Sequence, residues 1–514
     1  MFGSGGARVY WLAVVAVGVL AVCLRFFNMT GQSLWYDEGI SLDFSQGSSL
    51  GENLARLAAA DSSERYQPIY FVLLRGWRNV FGDSVLALRS LSAVCGLAAL
   101  ALLWALARRI YGTGHALLSA LLFGASSYAV CYSQEVRPYS LLLLLAVGQL
   151  WLFFRAREEA VGGSGRVWTW LFWASAGVAA FGSLFAGLFT GALCLAHLIA
   201  TKDRRQWLKL WLPAGLAMVP AALCYVDFTG YAASTGSISK MRQPLVLNAA
   251  FVPYGLLVGT TFGPPLDELR GASKLRALLE YAPHLALLLL AAGALAAAWA
   301  AGFARRAKDG PKKPTDALLV WLLAISFGLG VAFAALTGLN WLPRHAFYLL
   351  PVLALLLPGA VLADSGSARI RQLGVAGFVL LVALNLFSVG KYYFDPRHAR
   401  DDYRGAAEYV RVNAGEQDKA IILWGLPDLL GYYGAQVIDG RGIRKHQLAE
   451  EVNRRSGKSP RVILLVNRPF YWDSDPEAIE KHMALTYRLE AKLALQQFVI
   501  YRFAKRSENA AEGR

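Results

Sequence analysis

The chain has 514 residues, 56% of them hydrophobic and only 17% charged, with 49 Gly and 19 Pro. That balance excludes a disordered segment, a collagen-like chain, a disulfide-stapled secreted module and an ordinary soluble enzyme, and leaves a membrane protein. Lys plus Arg number 51 against 35 Asp plus Glu, a net charge of +16, which fits basic residues flanking apolar spans on the cytoplasmic side; no nucleic-acid module accompanies it.

The apolar run ending at Phe27 follows only Arg8, exceeds a signal-peptide core and lacks a small-residue cleavage site, so it reads as an uncleaved first span, 9–27. Further runs near 86–107, 116–132, 138–155, 168–182, 184–200, 209–226, 281–303, 317–337, 345–363 and 370–390 bring the number to eleven. Basic clusters at Arg108-Arg109, Arg155 with Arg157, Lys202 to Arg205, Arg305 through Lys313, and Arg369 with Arg371 recur in alternate loops. A cytoplasmic N-terminus puts all of them inside, provided that Pro68 to Phe81 lies in the interface instead of crossing. The C-terminus is then outside.

Three outer segments follow from this topology. The first, 28–82, carries Asp37, Glu38, Asp43, Glu52, Asp61 and Glu64. The second, 227–280, holds an apolar stretch near 245–262 broken by Pro253 and Pro264-Pro265, which reads as a re-entrant or juxtamembrane helix. The third is everything after Lys391, and from Asp395 the composition turns soluble. Helices over 401–413 and 443–455 alternating with strands at 420–424, 462–466 and 498–503 predict a small α/β domain over 395–506, after a transmembrane domain over 1–394 and before a polar tail, 507–514. This domain has no dinucleotide fingerprint, P-loop or nucleophile elbow, and an accessory docking or acceptor-binding role suits it. The five cysteines (Cys23, Cys95, Cys131, Cys194, Cys224) show no metal spacing and read as buried thiols.

The polar residues worth chemical attention cluster in the outer turns. Trp35-Tyr36-Asp37-Glu38 places two adjacent carboxylates just outside the first span. They suit a helix N-terminus or solvated loop; equally, one could take a proton from an acceptor hydroxyl while the other orients it or holds a divalent cation. Tyr132 to Tyr139 carries Arg137, a cation on the side that the topological bias disfavours. Its planar fork suits a phosphate, and an ion pair with Glu135 or with the first loop is the competing reading. Arg344 and His345 occupy the outer turn before the tenth span, where a phosphate held with Arg137 would be stabilised as a leaving group, headgroup contact or pairing to an acid being the alternatives.

Taken together in order, these stretches resemble the GT-C glycosyltransferases: the protein O-mannosyltransferases, the aminoarabinose transferases acting on lipid A, and the bacterial proteins grouped as glycosyltransferase family 39. The resemblance rests on Trp35-Tyr36-Asp37-Glu38, on Tyr66-Gln67-Pro68 through Arg75, on Leu88 to Ala93, on Ser133 to Leu141, on Pro343-Arg344-His345 through Pro351, and on Asp402-Tyr403-Arg404-Gly405. It implies a polytopic helical membrane enzyme that moves a sugar, with inversion, from a polyprenyl-phosphate donor to a protein, lipid or polysaccharide acceptor at the extracytoplasmic face of a bacterial inner membrane. On that resemblance Asp37 matches the catalytic base and Glu38 its neighbour. Arg137, Arg344 and His345 would hold the donor phosphate, and Trp35, Tyr36, Tyr66, Gln67 and Tyr139 would contact substrate. Tyr66-Gln67-Pro68 stands where relatives have His-Pro-Pro, a departure bearing on donor or acceptor preference. A lipid-linked saccharide transporter would put charges inside the spans and duplicate its halves, whereas the polar groups here cluster in outer loops; an oligosaccharide ligase or oligosaccharyltransferase would move a glycan block, and the Trp-Trp-x-x-Gly hallmark of the latter does not occur.

Overall fold

The computed structural model describes residues 4–60, 62–162, 166–235, 244–265, 268, 276, 279–309, 314–338, 340–362, 367–472, 475 and 477–506. Asp61, much of the second outer segment and the polar tail at 507–514 lie outside them. The described chain falls into two compact units, one of Met1–Phe27 with Phe44–Asp395, the other of Asn28–Asp43 with Pro396–Arg514.

The first unit is helical. Seven of its helices are long and apolar enough to cross a bilayer: Gly6–Phe26, Val85–Tyr111, Tyr139–Glu159, Arg204–Asp227, Ala282–Arg305, Thr315–Thr337 and Ala368–Phe394. The expected span at 116–132 is a bent pair, Thr113–Ala125 and Ser127–Ser133, meeting at 58°. Shorter apolar helices, Val167–Gly182, Leu184–Ala200 and Phe347–Leu362, occupy the remaining expected spans, and Leu245–Val258 contains Pro253.

Small residues let neighbouring helices approach closely, as packing within lipid requires. A Cβ at Gly377 would lie 2.9 Å from that of Ala294, which seats Ala368–Phe394 against Ala282–Asp309. The bend after Ala125 frees the Ser127 amide from helical pairing. The side chain of Asn385 accepts from it at 2.9 Å, and Ser388 pairs with the Ser127 hydroxyl at 2.9 Å, so a second helix satisfies groups that hydrocarbon would leave costly. Four of the cysteines are buried or half-buried, whereas Cys23 is exposed on the apolar surface of the first helix. Pro68–Phe81, beginning with Pro at its first position and stopped by Gly82 at φ 80°, buries Tyr70, Phe71 and Leu74 and exposes Val80 and Phe81.

The second unit is the α/β domain. A five-stranded sheet runs β2-β1-β3-β5-β4, with β1 (Lys419–Trp424), β2 (Ile438–Asp439), β3 (Arg461–Asn467), β4 (Tyr487–Leu495) and β5 (Phe498–Lys505). β1 lies parallel to β2 and β3, and β5 is antiparallel to β3 and β4. The core joins Ile421, Leu423, Leu464 and Val466 to Leu448 and Val452 of the helix Leu448–Ser456. Asp402 caps the helix Tyr403–Asn413 by accepting from the Gly405 amide at 2.9 Å. The segment Asn28–Asp43 is knitted into this unit: Ser33 donates to the Asp401 carbonyl at 2.7 Å, Leu34 N–H donates to the Tyr433 hydroxyl at 2.7 Å, and a Cβ at Gly39 would lie 2.7 Å from Leu426 Cδ1.

Candidate active site

In the first unit, three stretches far apart in sequence line one partly open pocket: the short 3-10 helix Ser63–Tyr66 with Gln67, the turn at Arg137-Pro138-Tyr139, and the turn at Arg344-His345. Phe185 and Ser183, at the start of the helix Leu184–Ala200, close it on another side. The turn that presents Arg137 is tightly built. Gln134 donates to the carbonyls of Arg25 and Phe27 at 3.0 and 2.8 Å, the Arg137 amide to Glu135 O at 2.8 Å, and Ser92 Oγ to Arg137 O at 3.3 Å. Pro138 then opens the next helix, with its carbonyl accepting from Leu142. The Arg137 guanidinium therefore has a fixed backbone, and it lies 5.9 Å from the Tyr139 ring centroid.

Arg137 Nη2 donates to Glu64 Oε1 at 2.9 Å, both side chains being largely buried. This is the first-loop ion pair weighed against phosphate binding, and it places a carboxylate in the wall of the same pocket. Burial alone would raise the Glu64 carboxyl, but the Arg137 charge and hydrogen bond outweigh it and hold it below the ordinary carboxylate range. His345 stacks on Phe185, with ring centroids 4.8 Å apart and planes within 6°. Desolvation and the neighbouring Arg344 charge push its imidazole down to about 3, so it enters the pocket neutral. Its Nδ1 lies 3.2 Å from the Leu342 amide and 3.0 Å from the Asn340 carbonyl. Nδ1 accepting from Leu342 puts the neutral ring's N–H on Nε2, and Nδ1 donating to Asn340 keeps it on Nδ1.

The remaining site residues of the sequence reading lie elsewhere. Tyr66 turns toward the helix Arg204–Thr235, and its hydroxyl donates to Asp227 Oδ2 at 2.6 Å. Trp35, Tyr36, Asp37 and Glu38 belong to the second unit, where Tyr36–Phe44 forms a helix with both acids in its first turn, a favourable place for negative charge. Glu38 is fully buried and its carboxylate accepts from the Trp35 amide at 3.3 Å, half of a capping box. Asp37 is half-buried. Above this segment Arg400 stacks 4.5 Å from the Trp35 ring centroid, and Arg468 lies 5.4 Å from Trp35 and 5.7 Å from Tyr36. Among the described residues no three His, Cys, Asp or Glu side chains gather where they could hold a metal ion.

The pocket contains two groups without a motif of their own. Glu64 is one of six first-loop acids, and only the fold pairs it with Arg137. Phe185 follows the small pair Gly182-Ser183, a hairpin signal that says nothing of the ring it delivers.

Residues 67–229 match the family model described as dolichyl-phosphate-mannose-protein mannosyltransferase. That stretch contains Gln67, Arg137, Tyr139 and Phe185, and it bears out the resemblance to GT-C glycosyltransferases. No curated protein matches the chain. Among solved structures, ArnT from Cupriavidus metallidurans in the apo state is 15% identical over 97% of this chain and 98% of its own, with a TM-score of 0.46. The oligosaccharyltransferase of Archaeoglobus fulgidus in the apo form is 12% identical over 97% of this chain and 75% of its own, with a TM-score of 0.49. At these scores the roles of single residues have to be argued from this chain itself.

Proposed function

We propose that this protein moves a sugar from a polyprenyl-phosphate donor to an acceptor hydroxyl on the extracytoplasmic side of a bacterial inner membrane. The observation that carries the reading is the convergence of Arg137, Arg344 and His345 on one pocket walled by Tyr139 and Phe185. A polyprenyl donor cannot leave the bilayer, so its phosphate needs cations at headgroup depth and its sugar needs flat apolar surfaces. All of these pocket groups come from turns that the positive-inside rule assigns to the outer face.

In this mechanism the phosphate oxygens sit between the guanidinium groups of Arg137 and Arg344, with the Nε2–H of His345 as a neutral donor. Asp37 accepts the proton of the acceptor hydroxyl as its oxygen attacks the anomeric carbon. The bond from that carbon to the phosphate oxygen breaks, and the electron pair leaves with polyprenyl phosphate, whose growing charge the two arginines stabilise. Attack opposite the leaving group inverts the configuration. Glu38, buried and capping its own helix, holds the segment in shape.

The test is a panel of lipid-phosphate sugars offered to the purified protein with membrane extract, reading which component becomes glycosylated. Asp37→Asn should abolish transfer in protein that still inserts and folds; undiminished transfer by that variant overturns the base. Normal donor binding by both Arg137→Ala and Arg344→Ala overturns the phosphate pocket.

A further inference from the structure

We propose that Arg468 and Asp401 of the C-terminal domain are positioning residues for the acid segment, orienting Asp37 through Trp35 and Tyr36; this rests on the reading of Asp37 as base. Asp401 sits at the hub. Its carbonyl accepts from Ser33 Oγ, and the same hydroxyl accepts from the Tyr403 amide at 3.1 Å. The Asp401 backbone is therefore tied, from more than 350 residues away, to the segment that leads into the helix whose first turn holds Asp37. The Asp401 carboxylate faces the Arg468 guanidinium with two contacts, Nε to Oδ1 at 3.2 Å and Nη2 to Oδ2 at 3.1 Å. That one hydrogen bond and the ion contact beside it hold the guanidinium near the rings of Trp35 and Tyr36, the two residues leading into Asp37.

The backbone here is unusual in a way that points to function. Arg468 and Gln497 both adopt positive φ, 51° and 59°, a conformation that side-chain-bearing residues rarely take. The Arg468 amide donates to the Gln497 carbonyl at 2.6 Å, and Asn467 Nδ2 donates to the same oxygen at 3.1 Å. Strain of this kind persists where the surroundings over-determine it, and here it delivers one guanidinium to the acid segment. Trp35 is 94% buried, and its indole N–H has no hydrogen-bond partner, so ring stacking, not a polar tether, holds it. A lysine would keep the charge near Asp401 but could not lie flat on two rings.

The experiment uses the full-length protein in lipid nanodiscs. Arg468→Ala should lower kcat about 10- to 100-fold, the scale of a misplaced catalytic group, with KM for the lipid donor within about twofold. Amide hydrogen exchange over 34–44 should accelerate while the transmembrane helices keep their protection, and Arg468→Lys should fail to restore kcat. A kcat and a 34–44 exchange rate both unchanged in Arg468→Ala overturn the proposal, as does full rescue by lysine. Asp401→Asn carries the same expectations should Arg468→Ala not fold; if neither variant folds, the pair holds up the domain and the proposal fails. If Asp37→Asn keeps transfer while Arg468→Ala loosens 34–44, the base assignment has failed and the positioning has not.

Discussion

On the proposed reading the Arg137–Glu64 pair sets the terms of donor binding, because the phosphate would share the guanidinium with a carboxylate already in place. Removing Arg137 leaves a buried, uncompensated acid, a loss of about 3–5 kcal/mol in stability, so Arg137→Ala should lower the thermal midpoint as well as donor affinity. Glu64→Gln removes the competing charge and should tighten lipid-phosphate binding several-fold at neutral pH, measured by titration into nanodiscs. Since Glu64 titrates below its ordinary value of 4.5, its contribution to stability is complete above that pH and is lost as pH falls through the lower folded value. Wild type should therefore lose midpoint on acidification below about 4.5 more steeply than Glu64→Gln. His345 follows the opposite logic. With its imidazole held near 3, donor affinity should stay flat from pH 6 to 8, and His345→Phe, which keeps a ring against Phe185, should weaken binding only by the loss of one neutral hydrogen bond. A donor affinity that climbs on acidification through pH 6.5 would show a charged imidazole instead.

Elements were legible in the sequence where pattern and environment agree. The helix at Tyr403–Asn413 announces itself through Asp402 at its N-cap, and Asp402→Ala should cost the C-terminal domain about 1 kcal/mol, read as a shifted urea midpoint. β1 and β3 carry continuous apolar runs and β5 is apolar apart from Arg502 and Lys505, so all three were readable. β4 was not: Tyr487–Leu495 is rich in Leu, Ala, Glu and Lys, which favour helix, and most of it is exposed at the sheet edge. Pairing with β5 across the turn at Gln496-Gln497 overrides that preference. The helix expected over 443–455 begins instead at Leu448, after a 3-10 turn at Lys445–Gln447. In the pocket, Arg137 and Arg344 stood out because the expected topology makes them cations in outer turns, against the positive-inside bias. Glu64 and Phe185 were not, since their significance arises only from which turns the helices bring together.

At the scale of the molecule, seven long apolar helices, a bent pair and shorter apolar helices among the described residues account for the hydrophobic runs, and the basic loops predict a direction for them. With the native cysteines replaced, a cysteine at Glu416 should react with a membrane-impermeant maleimide in intact cells, and one at Asp203 only after permeabilisation. The reverse pattern would invert the proposed topology. What linear reading missed at this scale is that the acid motif belongs with the C-terminal domain: adjacency to the first span suggests one partner, while hydrogen bonds from Ser33 and Leu34 tie it to another. That membership governs when the motif can take shape. A ribosome adding roughly 5–20 residues per second emits Trp35 tens of seconds before Arg400 and Arg468 exist to stack on it. The nascent protein can therefore finish its helical bundle while its acids still wait for a framework, and catalytic competence should arrive only once the final hairpin, β4 to β5, has closed.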